Sequence, residues 1–190
     1  MTTDTGAPDP TRARLIRAAV GLFRRQGVAG SGIGAICARA GVTKGVFAYH
    51  FPGGKEDLVV EAIAHNRRDV QGALGEIGAS NYASLGAMVE ACFAGYAEVL
   101  RAKGSDFGCP VAASIVDSSS VSPHVRSAAR EAFSTWRSGL QAFDADRVRS
   151  DDLDSLVLAA LEGAILLSRA EDDPDALVRV GRSLRTLLDG

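Results

Sequence analysis

The stretch Ile33 to Phe51, IGAICARAGVTKGVFAYHF, constrains the fold more tightly than any other part of the chain. Ile33, Ile36, Cys37 and Ala40 recur at helical spacing and give a short helix one apolar face. Gly41 then supplies the left-handed residue that ends a helix, Val42 plugs the corner, and Thr43 is a good N-cap for a second short helix from about Lys44 to His50. Two short helices joined through such a turn are a helix-turn-helix.

The second helix carries the informative side chains. With Phe47 and Val42 turned inward, Lys44, Gly45, Val46, Ala48, Tyr49 and His50 remain outside or at the ends. Lysine and free N–H groups attract phosphate, glycine lets backbone approach closely, valine can touch a thymine methyl, and Tyr and His can donate to phosphate oxygens. The competing reading is a tight helical hairpin in which Tyr49 and His50 merely pack.

Charge sharpens the choice. Residues 10 to 55 hold Arg12, Arg14, Arg17, Arg24, Arg25, Arg39, Lys44 and Lys55 and no Asp or Glu, a balance of +8 in a chain whose total is -2, so the rest stands at -10. Such a segment gains by displacing counterions from a polyanion, whereas the acidic remainder is repelled. A solvated basic face is the plainer alternative. The three cysteines, Cys37, Cys92 and Cys109, are widely spaced and suggest neither disulfides nor a metal site. The chain shows no membrane-length apolar run and no signal-peptide layout, which predicts a cytoplasmic protein without a membrane partner.

Residues 1–9 read as a disordered tail, 10–54 as a helix-turn-helix domain and 55–190 as a second helical domain, with no strand alternation anywhere. Asp9 or Thr11 can cap a first helix whose stripe is Leu15, Ala19, Leu22 and Phe23. Ser31 can cap the next helix or bond a phosphate. Lys55 opens a connecting helix to about Ala73, where its charge opposes the helix dipole unless a phosphate lies near. The Gly75 to Ser80 region is the expected joint, and Ser118 to Ser122 a polar loop. Phe93, Tyr96, Phe107, Val111, Ile115, Phe133, Trp136 and Leu140 have the character of an apolar ligand pocket, or of plain core.

The last two helices differ from the rest. Leu153, Leu156, Val157, Ala160, Leu161, Ala164 and Leu167 form one seam with Leu158, Ile165 and Leu166 off it, and Gly163 permits close approach. Leu177, Val180, Leu184, Leu187 and Leu188 line the final helix, opposite Arg179, Arg182 and Arg185. Pairing both helices with a twofold mate gives a four-helix dimer contact; burying them in one chain's core is the alternative.

A basic helix, a helix-turn-helix, a connecting helix and an acidic helical half ending in two apolar helices together resemble the TetR family of transcriptional regulators. AGVTKGVFAYHFPGGKEDL is similar to the family's recognition-helix signature, and FGCPVA with LVLAALEGAILLSRAEDDPDALVRVGRSLRTLL is similar to its LmrA/YxaF-like subgroup. The resemblance implies an all-α homodimer: an N-terminal three-helix helix-turn-helix bundle and a C-terminal helical ligand-binding and dimerisation domain. It further implies a double-stranded DNA operator, palindromic and released by a small-molecule inducer, with no enzymatic activity and no cofactor. By position, Thr43, Lys44, Gly45, Val46, Tyr49 and His50 would touch bases or phosphates, with Ser31 and Lys55 as backbone clamps. Ala48 stands where an aromatic residue is frequent, and Gly32 where Thr or Ser often caps the second helix.

Two other mechanisms fit the residues. Cys109, before a proline, could act as a thiol redox sensor in a repressor. The helical half could instead be an interaction module that uses the basic bundle as an anchor. No metal-ligand spacing, nucleophile–base pair or phosphate loop after a strand is present.

Overall fold

The computed structural model describes residues 9–117, 121–141 and 151–190. Residues 1–8 of the expected tail and 118–120 of the expected loop lie outside the described residues. The described residues form α1 (Pro10–Gln26), α2 (Ile33–Ala40), α3 (Lys44–His50), α4 (Lys55–Gly78), α5 (Leu85–Lys103), α6 (Pro110–Val116), α7 (Pro123–Gln141), α8 (Asp151–Glu171) and α9 (Asp175–Asp189), with no strand among them.

Local chemistry sets the ends. The Asp9 carboxylate accepts from Thr11 N–H at 2.8 Å, and Pro10 sits in the first turn, where its missing N–H costs nothing. Gly41 takes φ 66° and ψ 42°, a left-handed conformation that a Cβ would strain. Thr43 Oγ1 then accepts from Val46 N–H at 3.3 Å, capping α3.

Helix α4 runs to Gly78, beyond the expected end near Ala73, so the joint shifts to residues 79–84. The cause is packing. Val70 and Leu74 lie against the core that holds Trp136 of α7, and that tertiary contact outweighs the weak helix propensity of Gly72 and Gly75.

Two apolar cores result. One gathers Leu15, Phe23, Ile36, Phe47, Phe51, Leu58 and Ile63 with Val111 of α6 and Trp136 of α7, so it is continuous across residue 54. The other holds Met88, Val89, Phe93 and Leu100 of α5 with Val157 and Ile165 of α8 and Leu177 and Leu184 of α9. Helices α5 and α9 touch closely at Gly181, where a Cβ would come within 2.7 Å of Phe93 Cβ.

Candidate nucleic-acid interface and its link to the helical body

Helix α3 projects from the first core by a single anchor, Phe47, which is 4% exposed and stacks on Phe51 at 5.5 Å. Thr43, Lys44, Gly45 and Tyr49 are exposed and Val46 half-buried. Tyr49 is 82% exposed, its ring touching that of His50 edge-on with centroids 5.1 Å apart.

Three of the expected contacts lie elsewhere. Ser31 is fully buried: its hydroxyl donates to Gly27 O at 2.6 Å and accepts from Gln26 Nε2 at 3.4 Å. In the free chain it braces the turn between α1 and α2 rather than facing outward. Nor does it cap α2, whose N-cap is Gly32. Lys55 donates to Val28 O at 2.5 Å, and Asp117 accepts from Val28 N–H at 2.7 Å. The Lys55 ammonium thus ties that same turn to α4, and the Asp117 carboxylate ties it to the end of α6; desolvation lowers the Lys55 pKa, opposed by Asp117. His50 has a side chain only 10% exposed, with Nε2 3.7 Å from the Asp9 carboxylate. The imidazole is turned toward the start of α1.

The basic segment is likewise partly consumed within the molecule. Arg12 pairs with Glu61 at 2.8 Å, Arg25 pairs with Asp106, Arg24 enters the body of the protein, and Lys55 is held as above. That leaves Arg14, Arg17, Arg39 and Lys44, all exposed and without an ion pair among the described residues. The charge available to a polyanion is therefore smaller than +8, and it is carried by α1, the end of α2 and the start of α3.

Arg24 is the residue that composition hides. It leaves the last turn of α1 and donates to Asn66 Oδ1 of α4, to Gly108 O at 3.2 Å and to Tyr96 Oη of α5 at 3.4 Å, with its guanidinium 4.6 Å from the Phe107 ring centroid. Gly108 N–H returns a bond to Arg24 O at 2.8 Å. Arg25 donates to Lys103 O at 2.6 Å, and Arg169 of α8 donates to Arg25 O at 2.7 Å. The connection between α5 and α6 thus grips the end of α1. The signal for this junction was a polar residue at a stripe position: Asn66 follows Leu58, Val59, Ala62 and Ile63 on α4's buried face, yet is 1% exposed.

Cys109 caps α6, its sulfur accepting from Ala112 N–H at 3.5 Å, and it shares a hydrogen bond with Glu162. Burial and the neighbouring carboxylate both push its thiol far above the usual range. Cys92 is pushed up to about 11 by burial. A poorly ionised thiol is a poor nucleophile, so this environment does not favour redox sensing. Among the described residues no group of His, Cys, Asp or Glu could hold a metal ion.

The expected pocket residues divide between the two cores. Val111 and Trp136 belong to the first, with Ile115 and Phe133 packed on it; Phe93 and Leu140 belong to the second, with Tyr96 and Phe107 packed on it. None of the eight lines the wide cleft of about 1460 Å³ between the end of α4, residues 80–85 and the hydroxyl-rich face of α7. The expected dimer residues also divide. Val157, Ala164, Leu177 and Leu184 are buried within the single chain, because α9 turns its apolar face onto α5. Leu153, Ala160, Leu161 and Val180 are half-buried, while Leu156, Gly163 and Leu167 are exposed, joined by Leu166.

Residues 15–62 match the model for bacterial regulatory proteins of the tetR family, and residues 86–183 that for the C-terminal domain of LmrA/YxaF-like transcriptional regulators. The HTH-type transcriptional regulator LmrA of Bacillus subtilis is 28% identical over 192 aligned positions, covering 94% of this chain and 96% of its own. An uncharacterised HTH-type transcriptional regulator of Mycobacterium tuberculosis is 30% identical over 186 positions, covering 93% of each. Among solved structures, a TetR transcriptional regulator from Chloroflexus aurantiacus is 26% identical with a TM-score of 0.73 over 94% of both chains. The regulatory protein TetR from Rhodobacter sphaeroides shares the fold, with a TM-score of 0.82 at 22% identity over 94% of this chain and 98% of its own. No helix among the described residues is long and apolar enough to cross a membrane. The chain belongs to the TetR family of helix-turn-helix transcriptional regulators, on its LmrA/YxaF-like branch.

Proposed function

We propose that this regulator is a repressor that binds a palindromic operator as a homodimer and is released by a small, largely hydrophobic inducer. Residues 10–54 act as the DNA-binding unit, and residues 55–190 bind the inducer and form the dimer. The observation that carries the reading is α3: a capped helix, anchored by Phe47 alone, holding Lys44 and a largely exposed Tyr49 outward. Thr43, Gly45 and Val46 complete the surface offered to the major groove. In a twofold pair the two α3 helices would sit about 34 to 36 Å apart, or a multiple of that, to enter successive major grooves.

An inducer acts by favouring another separation, which requires a coupling of roughly 1 to 3 kcal/mol. Trp136 supports a ligand within the helical half, since its indole Nε1 is buried with no acceptor among the described residues. The test is a mobility-shift titration on the DNA upstream of its own gene at two salt concentrations. A sequence-selective shift that salt weakens is expected; its absence overturns the reading.

A further inference from the structure

A second cleft, of about 330 Å³, opens where the last turn of α1, helix α6 and the C-terminal half of α8 meet. Ala112 and Ala113, backed by the buried Phe23 and Ile165, give it an apolar floor, Val116 and Leu166 rim it, and Arg24 and Arg169 stand on its wall. Every acceptor that holds these two guanidinium groups is neutral: Asn66 Oδ1, Gly108 O and Tyr96 Oη for Arg24, and Arg25 O for Arg169. Among the described residues neither arginine forms an ion pair with a carboxylate.

Two acids lie nearby, and neither forms an ion pair with Arg24 or Arg169 among the described residues. Glu162 bonds to Cys109 and lies in charge range of Arg24, and burial outweighs both to hold its carboxyl above the usual range. Asp117, on the cleft's lining, accepts from Val28 N–H and faces Lys55. Arg169 with no carboxylate partner among the described residues, and Arg24 held by neutral acceptors with one buried carboxyl, Glu162, in charge range, stand over an apolar floor and match the two halves of an amphipathic organic anion. The volume suits a ligand of one or two rings or a short chain.

We propose that this cleft is an effector site for a small aromatic or aliphatic carboxylate, whose binding acts on the DNA-binding end through Arg24. The ring or chain lies on Ala112 and Ala113 between Val116 and Leu166, while the carboxylate takes donors from Arg24 and Arg169. Drawing Arg24 toward the cleft loosens its hold on Asn66 and Gly108, the contacts that fix the end of α1 against α4 and the connection between α5 and α6. The consequence for DNA rests on the repressor reading above; the binding itself does not.

Calorimetric titration of the full chain with sodium 2-naphthoate, with 2-naphthamide as its uncharged match, tests the site. The acid is expected to bind once per chain, and at least about tenfold more tightly than the amide. Arg169→Gln, at an exposed position, weakens the acid by about tenfold. Ala112→Leu, which fills the floor and leaves both charges, abolishes binding, and circular dichroism of both variants matches the parent. Equal affinity for acid and amide overturns the proposal. So does acid binding unchanged in both variants, no heat up to about 5 mM acid, or a dimer that dissociates on Ala112→Leu, which would assign the cleft to a second copy of the chain. At saturating naphthoate the DNA midpoint is expected to rise at least about fivefold; an unmoved midpoint overturns the route through Arg24. The repressor reading fails separately, by the absence of any shift in the ligand-free chain.

Discussion

Helices α3 and α8 both leave a face uncovered, and the residues left outside differ in kind. On α3 they are a lysine, a glycine, an alanine and a tyrosine, above a single buried phenylalanine. On α8 they are Leu156, Gly163, Leu166 and Leu167, above a buried row of Val157, Ala164 and Ile165. A face of donors and small residues gains little from apolar contact but suits a hydrated polyanion. A face of leucines around a glycine with nothing within 4 Å of its would-be Cβ suits another apolar helix. The lesson is that exposure alone says a partner is due, and the chemistry of the exposed atoms says which one.

The sharpest way to break that contrast is to charge the α8 face. Leu156→Glu with Leu167→Glu alters side chains already 51% and 48% exposed, so each chain should still fold. If these leucines pair across a twofold axis, about 1 kcal/mol is lost at each of four positions, which weakens the dimer about a thousandfold. Sedimentation equilibrium reads this directly; a variant that stays dimeric would mean another face mediates pairing.

The α3 face should respond to a different perturbation. Lys44→Ala should leave the dimer intact and cost about 10- to 100-fold in DNA affinity near physiological salt, on any sequence. Because both protomers lose a lysine, the slope of log affinity against log salt should fall in magnitude by about 2. Binding isotherms at four salt concentrations check it, and an unchanged slope would remove Lys44 from the phosphate contacts.

These two faces were not equally legible in the sequence. The helix-turn-helix could be read because short-range rules fix it: a glycine that must be left-handed, a threonine that must cap, and four apolar residues at helical spacing. On α8 and α9 the period marks apolar positions without saying which of two neighbours each one meets. Leu177 and Leu184 were therefore assigned to a partner when α5 already covers them. Lys55 and Ser31 failed for a related reason, since both sit where a phosphate clamp is plausible but tertiary neighbours, Val28 O and Gly27 O, claim them first. For Arg24 the sole sign of a junction was Asn66 on an apolar stripe, because the partners of Arg24 lie 42 to 84 residues away.

The inner side of α8 offers a pH test of the same contrast. Burial raises the Glu162 carboxyl above its ordinary value, so the folded chain holds that proton more tightly than the unfolded chain does. The stability this lends is complete below the unfolded value near 4.3 and is lost as pH rises through the higher folded value. Glu162→Gln should therefore melt higher than the parent at pH 8, by about 2 to 4 °C for each kcal/mol relieved, and match it near pH 4. A variant that melts lower at pH 8 would mean that the charged form, drawn by Arg24, is the one the fold prefers.

Ser31→Ala gives the smallest effect and sets the edge of the α3 face. The hydroxyl is fully buried and donates to Gly27 O, so its removal should cost about 1 kcal/mol of folding stability. Operator affinity and its salt slope should stay within about twofold of the parent at a temperature where both are folded, because no ion pair with DNA is lost. Denaturant unfolding and the same binding isotherms measure the two quantities in one pair of experiments. A loss of affinity without a loss of stability would reverse the assignment, since it would mean that the serine leaves its turn on DNA and extends the phosphate-binding face to the start of α2.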